Sequence, residues 1–390
     1  MDLLIKNIGL LFDGYKFIRN TSVYIENGII KSIGKNEKAE ETVDAEENFV
    51  MPGFIDSHTH IAFAGYRDFE IEWKIAGWSY EEIAKKGGGI LYTVNETRKA
   101  SKERIKKEMK ERAEEMFMHG TTTIEVKSGY GLDKENEIKL LEAINEMKCN
   151  ATIIPTFLAH AIPQGYDSNE YTQYVVNEII PEVGERKLAK FGDVFCEKGY
   201  FNVEQSRMIL KKAMEYGMKA KIHADEFSCT GCSRLAAELR AISADHLLMA
   251  DDESLQMLKN AGVVATLLPA TPFVLNEEYP NAKKMIDIDL TVSLATDMNP
   301  NCYNGNMQFI IQLATYKLKM ALIDILKAVT INAAKSLGLK DVGSIEPGKK
   351  GDLIILDAKN PSFIPYHIGV NLIKYVIKEG RVYSQQGINV

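Results

Sequence analysis

Histidines and one aspartate end several short apolar runs of this chain. His58 and His60 close the first run, and their i, i+2 spacing places both imidazoles on the same face of a strand. His223, His246 and Asp297 end later runs. Neutral imidazole nitrogens with one carboxylate are the donors that a borderline cation such as Zn²⁺ prefers. A lone His-x-His pair is weak evidence for a metal site, but together with the later runs it predicts a metallohydrolase.

The middle of the chain alternates between strand-like and helix-like segments. Eight candidate strands follow one another from Phe54, each followed by a helical or loop segment. After the first, residues 81–118 read as one long amphipathic helical stretch. Eight parallel βα units favour a closed barrel of about 250 residues, with its active site at the C-terminal ends of the strands.

Most of the predicted strand ends carry polar or ionisable side chains, which core packing does not explain. In chain order these residues are His58 and His60, Glu125 and Lys127, His160, Cys196 and Glu197, His223, His246, and Asp297. The seventh strand instead ends at Leu268. For Lys127, a salt bridge to Glu125 or to a neighbouring strand is favoured over a ligand-bearing role. The chain ends, by contrast, read as short strands and turns, for example at residues 3–5, 22–25 and 29–33.

Composition narrows the class of protein. The chain has 390 residues, a net charge of −7 and no long basic block, which disfavours nucleic acid or an anionic membrane as a partner. It shows neither the plan of a signal peptide nor an apolar run approaching the ~18 residues of a membrane span. Five cysteines are no disulfide framework, so a reducing cytoplasm is expected. The spacing of Cys229 and Cys232 is interpreted as coincidence.

Longer motifs resemble the amidohydrolase superfamily. The segment Met-Pro-Gly-Phe-Ile-Asp-Ser-His-Thr-His at 51–60 resembles its opening strand, and residues 343–353 resemble its return into a small β-sandwich built from both chain ends. Within the superfamily, the likeness to the imidazolonepropionase family is closer and covers essentially the whole chain. Its specific segments are Lys-Ser-Gly-Tyr-Gly at 127–131 and His-Ala-Asp-Glu-Phe at 223–227.

The resemblance implies an α/β fold in two domains. Residues 52–341 would form a (β/α)8 barrel of the TIM type, and residues 1–51 with 342–390 a small composite β-sandwich. It also implies hydrolysis of the ring amide of 4-imidazolone-5-propanoate to N-formimidoyl-L-glutamate, the third step of histidine degradation, by a metal-activated water. A homodimer is implied by the family alone.

By the same resemblance, His58, His60, His223 and Asp297 hold one divalent or trivalent metal ion per chain, zinc or iron. Many superfamily members bridge a second metal with a modified lysine on the fourth strand. Here that strand ends Phe-Cys-Glu at 195–197, so a mononuclear site is favoured.

Further roles follow from the resemblance and from the chemistry of the reaction. Asp297 would accept the water proton, and His246 would orient the attacking oxygen. Glu226 would hold a ring N–H and carry the proton to the leaving nitrogen. His160 would lie over the polar edge of the ring.

The remaining substrate contacts concern the propionate and the loop after the last strand. Arg67 offers a bidentate fork for the carboxylate, and Tyr80 and Tyr130 add hydroxyl donors. Asn299 begins a stretch in which the family has small residues, commonly Gly then Ser or Thr, and this chain has Asn301 and Cys302. Asn301 tolerates the left-handed conformation that glycine would supply, whereas Cys302 is a weak donor.

Alternatives stay open at this stage. A sister amidohydrolase could act on another cyclic amide or deaminate a heterocycle, although a neutral ring would leave Arg67 buried without an anion. A non-catalytic scaffold is a second alternative, against which the intact set of presumed ligands counts. Asp245 and His246 could also form a structural pair.

Overall fold

The structure, a computed structural model, describes residues 2–35 and 37–384, and only the backbone of Tyr80 and Glu81. The N-terminal strands are β1 (Asp2–Phe12), β2 (Phe17–Glu26), β3 (Ile29–Ile33), β4 (Glu41–Asp44) and β5 (Phe49–Pro52). The central strands are β6 (Phe54–Asp56), β7 (Thr121–Lys127), β8 (Thr152–Ala159), β9 (Phe191–Cys196), β10 (Lys219–Ala224), β11 (Ser243–His246), β12 (Val264–Leu267) and β13 (Val292–Leu294). The C-terminal strands are β14 (Leu353–Leu356), β15 (Ile373–Lys378) and β16 (Arg381–Ser384).

Helices lie between the central strands and after them. The first eight are α1 (Glu70–Ile75), α2 (Tyr80–Lys85), α3 (Gly89–Lys99), α4 (Lys102–Met118), α5 (Lys134–Glu146), α6 (Ser168–Tyr174), α7 (Ile180–Glu185) and α8 (Val203–Glu215). A π-helical turn, Val175–Ile179, joins α6 to α7. The others are α9 (Cys232–Glu238), α10 (Asp252–Ala261), α11 (Ala270–Leu275), α12 (Ala282–Asp287), α13 (Met307–Tyr316), α14 (Leu322–Ala328), α15 (Ile331–Ser336) and α16 (Phe363–Tyr366). None of the helices in the described part of the chain has the length and apolarity needed to span a bilayer.

The eight central strands, β6 to β13, form one parallel sheet in sequence order, as predicted. The two edge strands meet through backbone hydrogen bonds just beyond their ends, from Asp297 N–H to the carbonyl of His58 (3.1 Å) and from His60 N–H to that of Met298 (2.8 Å). The carboxylate of Asp56 adds to this junction, accepting from the N–H of Thr296 (3.1 Å). The sheet is thereby a nearly closed barrel, and residues from its first and last strands become neighbours.

The prediction of one long helical stretch over residues 81–118 is wrong. The structure has three helices there, α2, α3 and α4, with interruptions at Gly87 and at Ser101. Gly87 takes a left-handed φ of +94° that other residues rarely adopt. Ser101 then starts α4 as its N-cap, accepting a hydrogen bond from Arg104 N–H.

The chain ends combine in a second sheet. Strand β1 pairs with β2 on one side and with both β4 and β5 on the other, and β14 to β16 extend the sheet beyond β5. The strands form a single mixed sheet in their hydrogen bonding, with an apolar core of its own that includes Leu3, Ile25, Val50 and Leu353. The division into domains at residues 51/52 and 341/342 stays a prediction.

One covalent link joins two barrel segments. Cys196, the last residue of β9, is disulfide-bonded to Cys232, the first residue of α9. Cys229 and Cys232 are not bonded to each other, in accord with the view that their spacing is coincidental. A pair 36 residues apart has no signal in the spacing of five cysteines.

Candidate active site

Four donor atoms converge inside the C-terminal mouth of the barrel. His60 Nε2 lies 3.2 Å from His58 Nε2 and 3.4 Å from His223 Nε2. Asp297 Oδ1 lies 3.4 Å from His60 Nε2 and 3.6 Å from His58 Nε2. Donors held about 2.0–2.1 Å from a tetrahedral ion are roughly 3.3–3.4 Å apart, so this spacing fits one metal ion. The structure thus brings together the four residues that the sequence predicted to lie close to one another.

Two of these imidazoles are held from behind by carboxylates. His58 Nδ1 lies 2.7 Å from Asp245 Oδ2, and His223 Nδ1 lies 3.2 Å from Asp193. A carboxylate on Nδ1 selects the tautomer that keeps the Nε2 lone pair for a metal. Burial, reinforced by the charge of Lys127, holds the pKa of His58 well below its usual range, so its ring is neutral. This arrangement suits a metal ligand. It also shows that Asp245 pairs with His58 and not, as one interpretation had it, with His246.

Asp297 is fixed by both its backbone and its side chain. Its φ of +52° is left-handed, a conformation that costs roughly 1–3 kcal/mol for a non-glycine residue and clusters at functional sites. The Thr271 hydroxyl donates to its Oδ2 (2.5 Å), which leaves Oδ1 directed at the imidazoles. Burial raises its pKa to about 6. In the absence of a cation, Asp297 is therefore close to accepting a proton at neutral pH.

His246 lies beside the four donors, and one of its ring nitrogens comes within 4.8 Å of the ligand atoms of His58 and Asp297. Its ring centroid is 5.3 Å from that of His223 and 5.5 Å from that of His58, and its φ is +78°. Its Nδ1 is buried and has no hydrogen-bond partner among the described residues. The nearest acid is Glu226, with Oε1 at 3.6 Å. A buried polar atom without a partner is costly unless a bound molecule supplies one.

Glu226 lies on the loop after β10, with its carboxyl directed towards His246. Burial raises its pKa well above the usual range, and the charges of Asp297 and Glu197 add to the effect. Glu197 holds the loop from one side by accepting from the N–H of Phe227 (2.9 Å). Asp225 holds it from the other by accepting from Ser233 N–H (3.3 Å) at the start of α9. Glu226 is thus a carboxyl that favours its protonated form, on a loop tied down at both sides.

His160 and Tyr130 form an aromatic wall next to His60. The ring of His160 stacks on that of His60, with centroids 5.2 Å apart and planes 26° apart, and Tyr130 is 5.2 Å from His160. Burial lowers the pKa of His160 to about 3, so the ring is neutral. Gly129 makes room for it, because a Cβ there would lie 3.0 Å from the Cβ of His160. Glu137 holds the loop by accepting from the N–H of Gly129 (2.9 Å).

Arg67 is buried, and its guanidinium is engaged by the chain itself. Nε and Nη2 donate to the two oxygens of Glu70, at 2.7 and 2.8 Å. Glu70 also accepts from Gly89 N–H at 2.7 Å. The pair ties α1 to the start of α3 and orients the guanidinium. The side chain of Tyr80 lies outside the described residues.

The loop after β13 differs from the prediction in one respect. Asn301 does not take a left-handed conformation, so the expectation that asparagine stands in for glycine by tolerating one is wrong. Instead, the Asn299 side chain accepts from Asn301 N–H (2.7 Å) and Cys302 N–H (3.0 Å), which closes the turn without a positive φ. Asn301 accepts from Lys74 at 2.6 Å, and Cys302 is buried.

Sequence reasoning missed the carboxylates that support the site, namely Asp193, Asp245, Glu137 and Glu70. A signal for one of them, Asp245, existed: polar or charged residues alternate with apolar ones along strands predicted to be buried, as in Ser-Ala-Asp at 243–245 and Lys-Ile-His at 221–223. Charged or polar side chains at every second position of a buried strand all point to one face, which indicates a polar barrel interior. The predicted ion pair of Lys127 with Glu125 is confirmed, at 2.8 Å.

Comparison with known proteins agrees with this geometry. The model of the amidohydrolase family matches residues 49–383. The barrel also resembles the crystal structure of an adenosine deaminase from Xanthomonas campestris with bound zinc, with a TM-score of 0.76 at 17% identity over 100% of this chain and 94% of that one. At such identity the likeness concerns the fold alone. The chain belongs to the amidohydrolase family.

Curated relatives are similar over nearly their whole length. The imidazolonepropionase of Clostridium tetani is 45% identical over 380 residues, which cover 94% of this chain and 91% of that protein. The imidazolonepropionase of Thermoanaerobacter pseudethanolicus is 42% identical over 97% of this chain and 96% of that protein. Within the amidohydrolases, the chain belongs with the imidazolonepropionases.

Proposed function

We propose that this chain hydrolyses the ring amide of 4-imidazolone-5-propanoate to N-formimidoyl-L-glutamate, a step of histidine degradation. The observation that carries the proposal is 45% identity to an imidazolonepropionase over 94% of the chain. The convergence of three imidazoles and one carboxylate supports it, since this donor set suits a hydrolytic metal ion. The intact set of donor residues also argues against a non-catalytic scaffold that has kept the barrel but lost the activity.

We propose one zinc or iron ion per chain, held by His58, His60, His223 and Asp297. Both metals accept imidazole and carboxylate ligands, so the donor set does not choose between them. When bound, such an ion lowers the pKa of a water towards neutrality and polarises a carbonyl. The fourth strand ends at Cys196 without a lysine, which supports a single ion.

The proton has to move from the attacking water to the leaving ring nitrogen. Asp297 lies at the convergence point and can accept it, and Glu226 stands across from His246 as a carboxyl that holds a proton readily. The unpartnered Nδ1 of His246 is placed to hold the attacking oxygen by a hydrogen bond. His160, neutral and stacked on His60, would cover the polar edge of the ring.

The propionate needs a cation inside the protein. Arg67 is the buried guanidinium proposed for it, with its orientation set by Glu70. We propose Tyr80, Tyr130, Asn299, Asn301 and Cys302 as further contacts. The Asn301 side chain would then contact the substrate while its oxygen also accepts a hydrogen bond from Lys74.

The cellular compartment and the oligomeric state are proposed as well. We propose a homodimer, by resemblance to the family, in the cytoplasm; the net charge of −7 supports the absence of nucleic-acid and anionic-membrane partners. The Cys196–Cys232 disulfide runs against a reducing compartment.

The test is turnover of 4-imidazolone-5-propanoate, followed as loss of its ultraviolet absorbance. The product should be heavier by one water, with no ammonia released. A ring analogue without the propionate serves as the control and should turn over poorly. Release of ammonia, or faster turnover of the neutral analogue, would favour the sister amidohydrolase that deaminates a heterocycle or opens another cyclic amide.

A further inference from the structure

Lys127 is a fully buried cation at the end of β7, and the reaction proposed above does not use it. Its Nζ lies 2.7 Å from Asp193, 2.8 Å from Glu125 and 3.9 Å from Asp245. Removing an ammonium from water costs several kcal/mol unless partners compensate. A cation held by three buried carboxylates is therefore a feature that needs a physical reason.

Two of these carboxylates are the ones that orient the imidazoles. Asp245 receives His58 Nδ1 at 2.7 Å, and Asp193 receives His223 Nδ1 at 3.2 Å. Each carboxylate has to stay anionic, and in place, for its imidazole to present Nε2 to the convergence point. Lys127 is the described cation that forms ion pairs with both Asp193 and Asp245.

We propose that Lys127 is a positioning residue of the metal site, one ammonium that holds Asp193 and Asp245 together and so aligns His58 and His223. The inference rests on the proposed metal site and adds to it a residue that binds neither metal nor substrate. Its consequence is that His58, just after β6, and His223, on β10, are linked through one charge that both supporting carboxylates share, whereas Lys221 lies beside Asp245 alone.

The electrostatics of the lysine agree with this role. Burial lowers the pKa of Lys127, but Asp193, Glu125 and Asp245 outweigh it and raise the pKa above its ordinary value. The ammonium is therefore charged at all working pH values. The backbone also fixes the position of the lysine. Lys127 N–H donates to the carbonyl of Thr59 (3.0 Å), the residue between His58 and His60.

A matched control lies on β10. Lys221 is also fully buried and lies 3.5 Å from Asp245, but it donates to the carbonyl of Ser57 (3.1 Å) and has no ion pair with Asp193 in the described structure. Removing Lys221 deletes a buried charge of the same sign while leaving the pair of Lys127 with Asp193 intact. It should weaken metal binding less than removing Lys127.

The experiment measures metal affinity by competition with a chelator, using Zn²⁺ as the probe. Lys127→Met should lower the affinity about 10–100-fold, the usual effect of losing a residue that supports a metal ligand. Lys127→Met with Glu125→Gln removes one charge of each sign, guards against misfolding, and should lose the same affinity. In an Asp193→Asn/Asp245→Asn background, Lys127→Met should cause no further loss, because the groups through which it acts are gone.

Several results would overturn the inference. A lower melting temperature of Lys127→Met with unchanged metal affinity would mean that Lys127 only stabilises the fold of the barrel. A loss that persists in full in the Asp193→Asn/Asp245→Asn background would mean that Lys127 acts by another route. Failure of both Lys127 variants to fold would assign the residue to folding. A wild-type chain that binds no Zn²⁺ would overturn the proposed function together with this inference, whereas tight binding by wild type and Lys127→Met alike would overturn this inference alone.

Discussion

His58 Nδ1 lies 2.7 Å from Oδ2 of Asp245, a residue 187 positions further along the chain. Both side chains are fully buried, so the hydrogen bond forms in a low-dielectric interior, where its geometry matters most. Ser243 donates to the other oxygen of Asp245 at 2.6 Å, which fixes the carboxylate in turn. The orientation of the first histidine of the site is thus set by a strand from the other half of the barrel.

Asp245→Asn tests this relationship. The amide oxygen can still accept from His58, but the negative charge is lost, so we expect metal affinity to fall about 10–100-fold with the fold retained. Chelator competition measures the affinity. Asp289→Asn is the matched control, since the Asp289 side chain is 91% exposed and its left-handed φ suits asparagine. Equal affinities in the two variants would show that the Asp245 charge does not support the site.

The second prediction concerns the number of metal ions. Elemental analysis after mild dialysis should give a metal-to-chain ratio near one, because the donor atoms of His58, His60, His223 and Asp297 lie 3.2–3.6 Å from one another along the chain of contacts and the fourth barrel strand ends without a lysine. Replacing Asp297 by Ala should lower the ratio towards zero. A clear ratio of two in the wild type would rule out the mononuclear site.

Arg67→Met should raise KM far more than it lowers kcat, because it removes the proposed cation for the propionate and leaves the convergent donors alone. Deleting one partner of a buried charged pair costs roughly 2–5 kcal/mol, so KM should rise by at least about thirtyfold. Steady-state kinetics on 4-imidazolone-5-propanoate provides the measurement.

The structure adds a control for this variant, because Arg67→Met also strands the buried carboxylate of Glu70. Arg67→Met with Glu70→Gln removes that unpaired charge. If Arg67 binds the propionate, KM should stay high in the double variant. Recovery of a normal KM would mean that Arg67 serves only to neutralise Glu70.

Glu226→Gln separates three roles of a buried carboxyl. If Glu226 carries the proton, metal content should stay near wild type while kcat falls by about 10²–10⁴. If it only orients the ring, glutamine should keep activity to within about tenfold, since one hydrogen bond is worth roughly 1 kcal/mol. If it ties the loop down, melting temperature and metal content should fall together. A fully active and fully metallated variant would remove Glu226 from the mechanism.

The last prediction concerns the disulfide. Alkylation of the denatured, unreduced protein should label Cys149, Cys229 and Cys302 and spare Cys196 and Cys232. Mass spectrometry measures the labelling, and prior reduction should make all five cysteines react.

A paired Cys196→Ala/Cys232→Ala variant tests what the disulfide contributes to stability. A link closing about 36 residues stabilises by roughly 3–4 kcal/mol in the chain-entropy account, so the free energy of unfolding should fall by that amount. Labelling of five cysteines without reductant would show that the bond is not formed in the isolated protein.

Much of the architecture follows from local patterns. Apolar runs of strand length alternate with helical segments, and a chain of βα units has few ways to bury both faces of its strands other than a barrel. Because such a barrel gathers its strand ends at one mouth, residues as far apart as His58 and Asp297 were predicted to meet. The break of residues 81–118 into three helices was missed, since the glycine at 87 acts through a left-handed φ that hydrophobic periodicity does not show.

By itself, then, the sequence determined the strands, the barrel and which side chains stand at its mouth, because these depend on periodicities of a few residues. Only the tertiary structure decided the partners behind them. Asp245 meets His58 instead of its neighbour His246, Arg67 meets Glu70, and Cys232 bonds Cys196 instead of facing Cys229. Such pairings depend on strand register, loop path and side-chain direction across the closed barrel, and no local pattern records those distances.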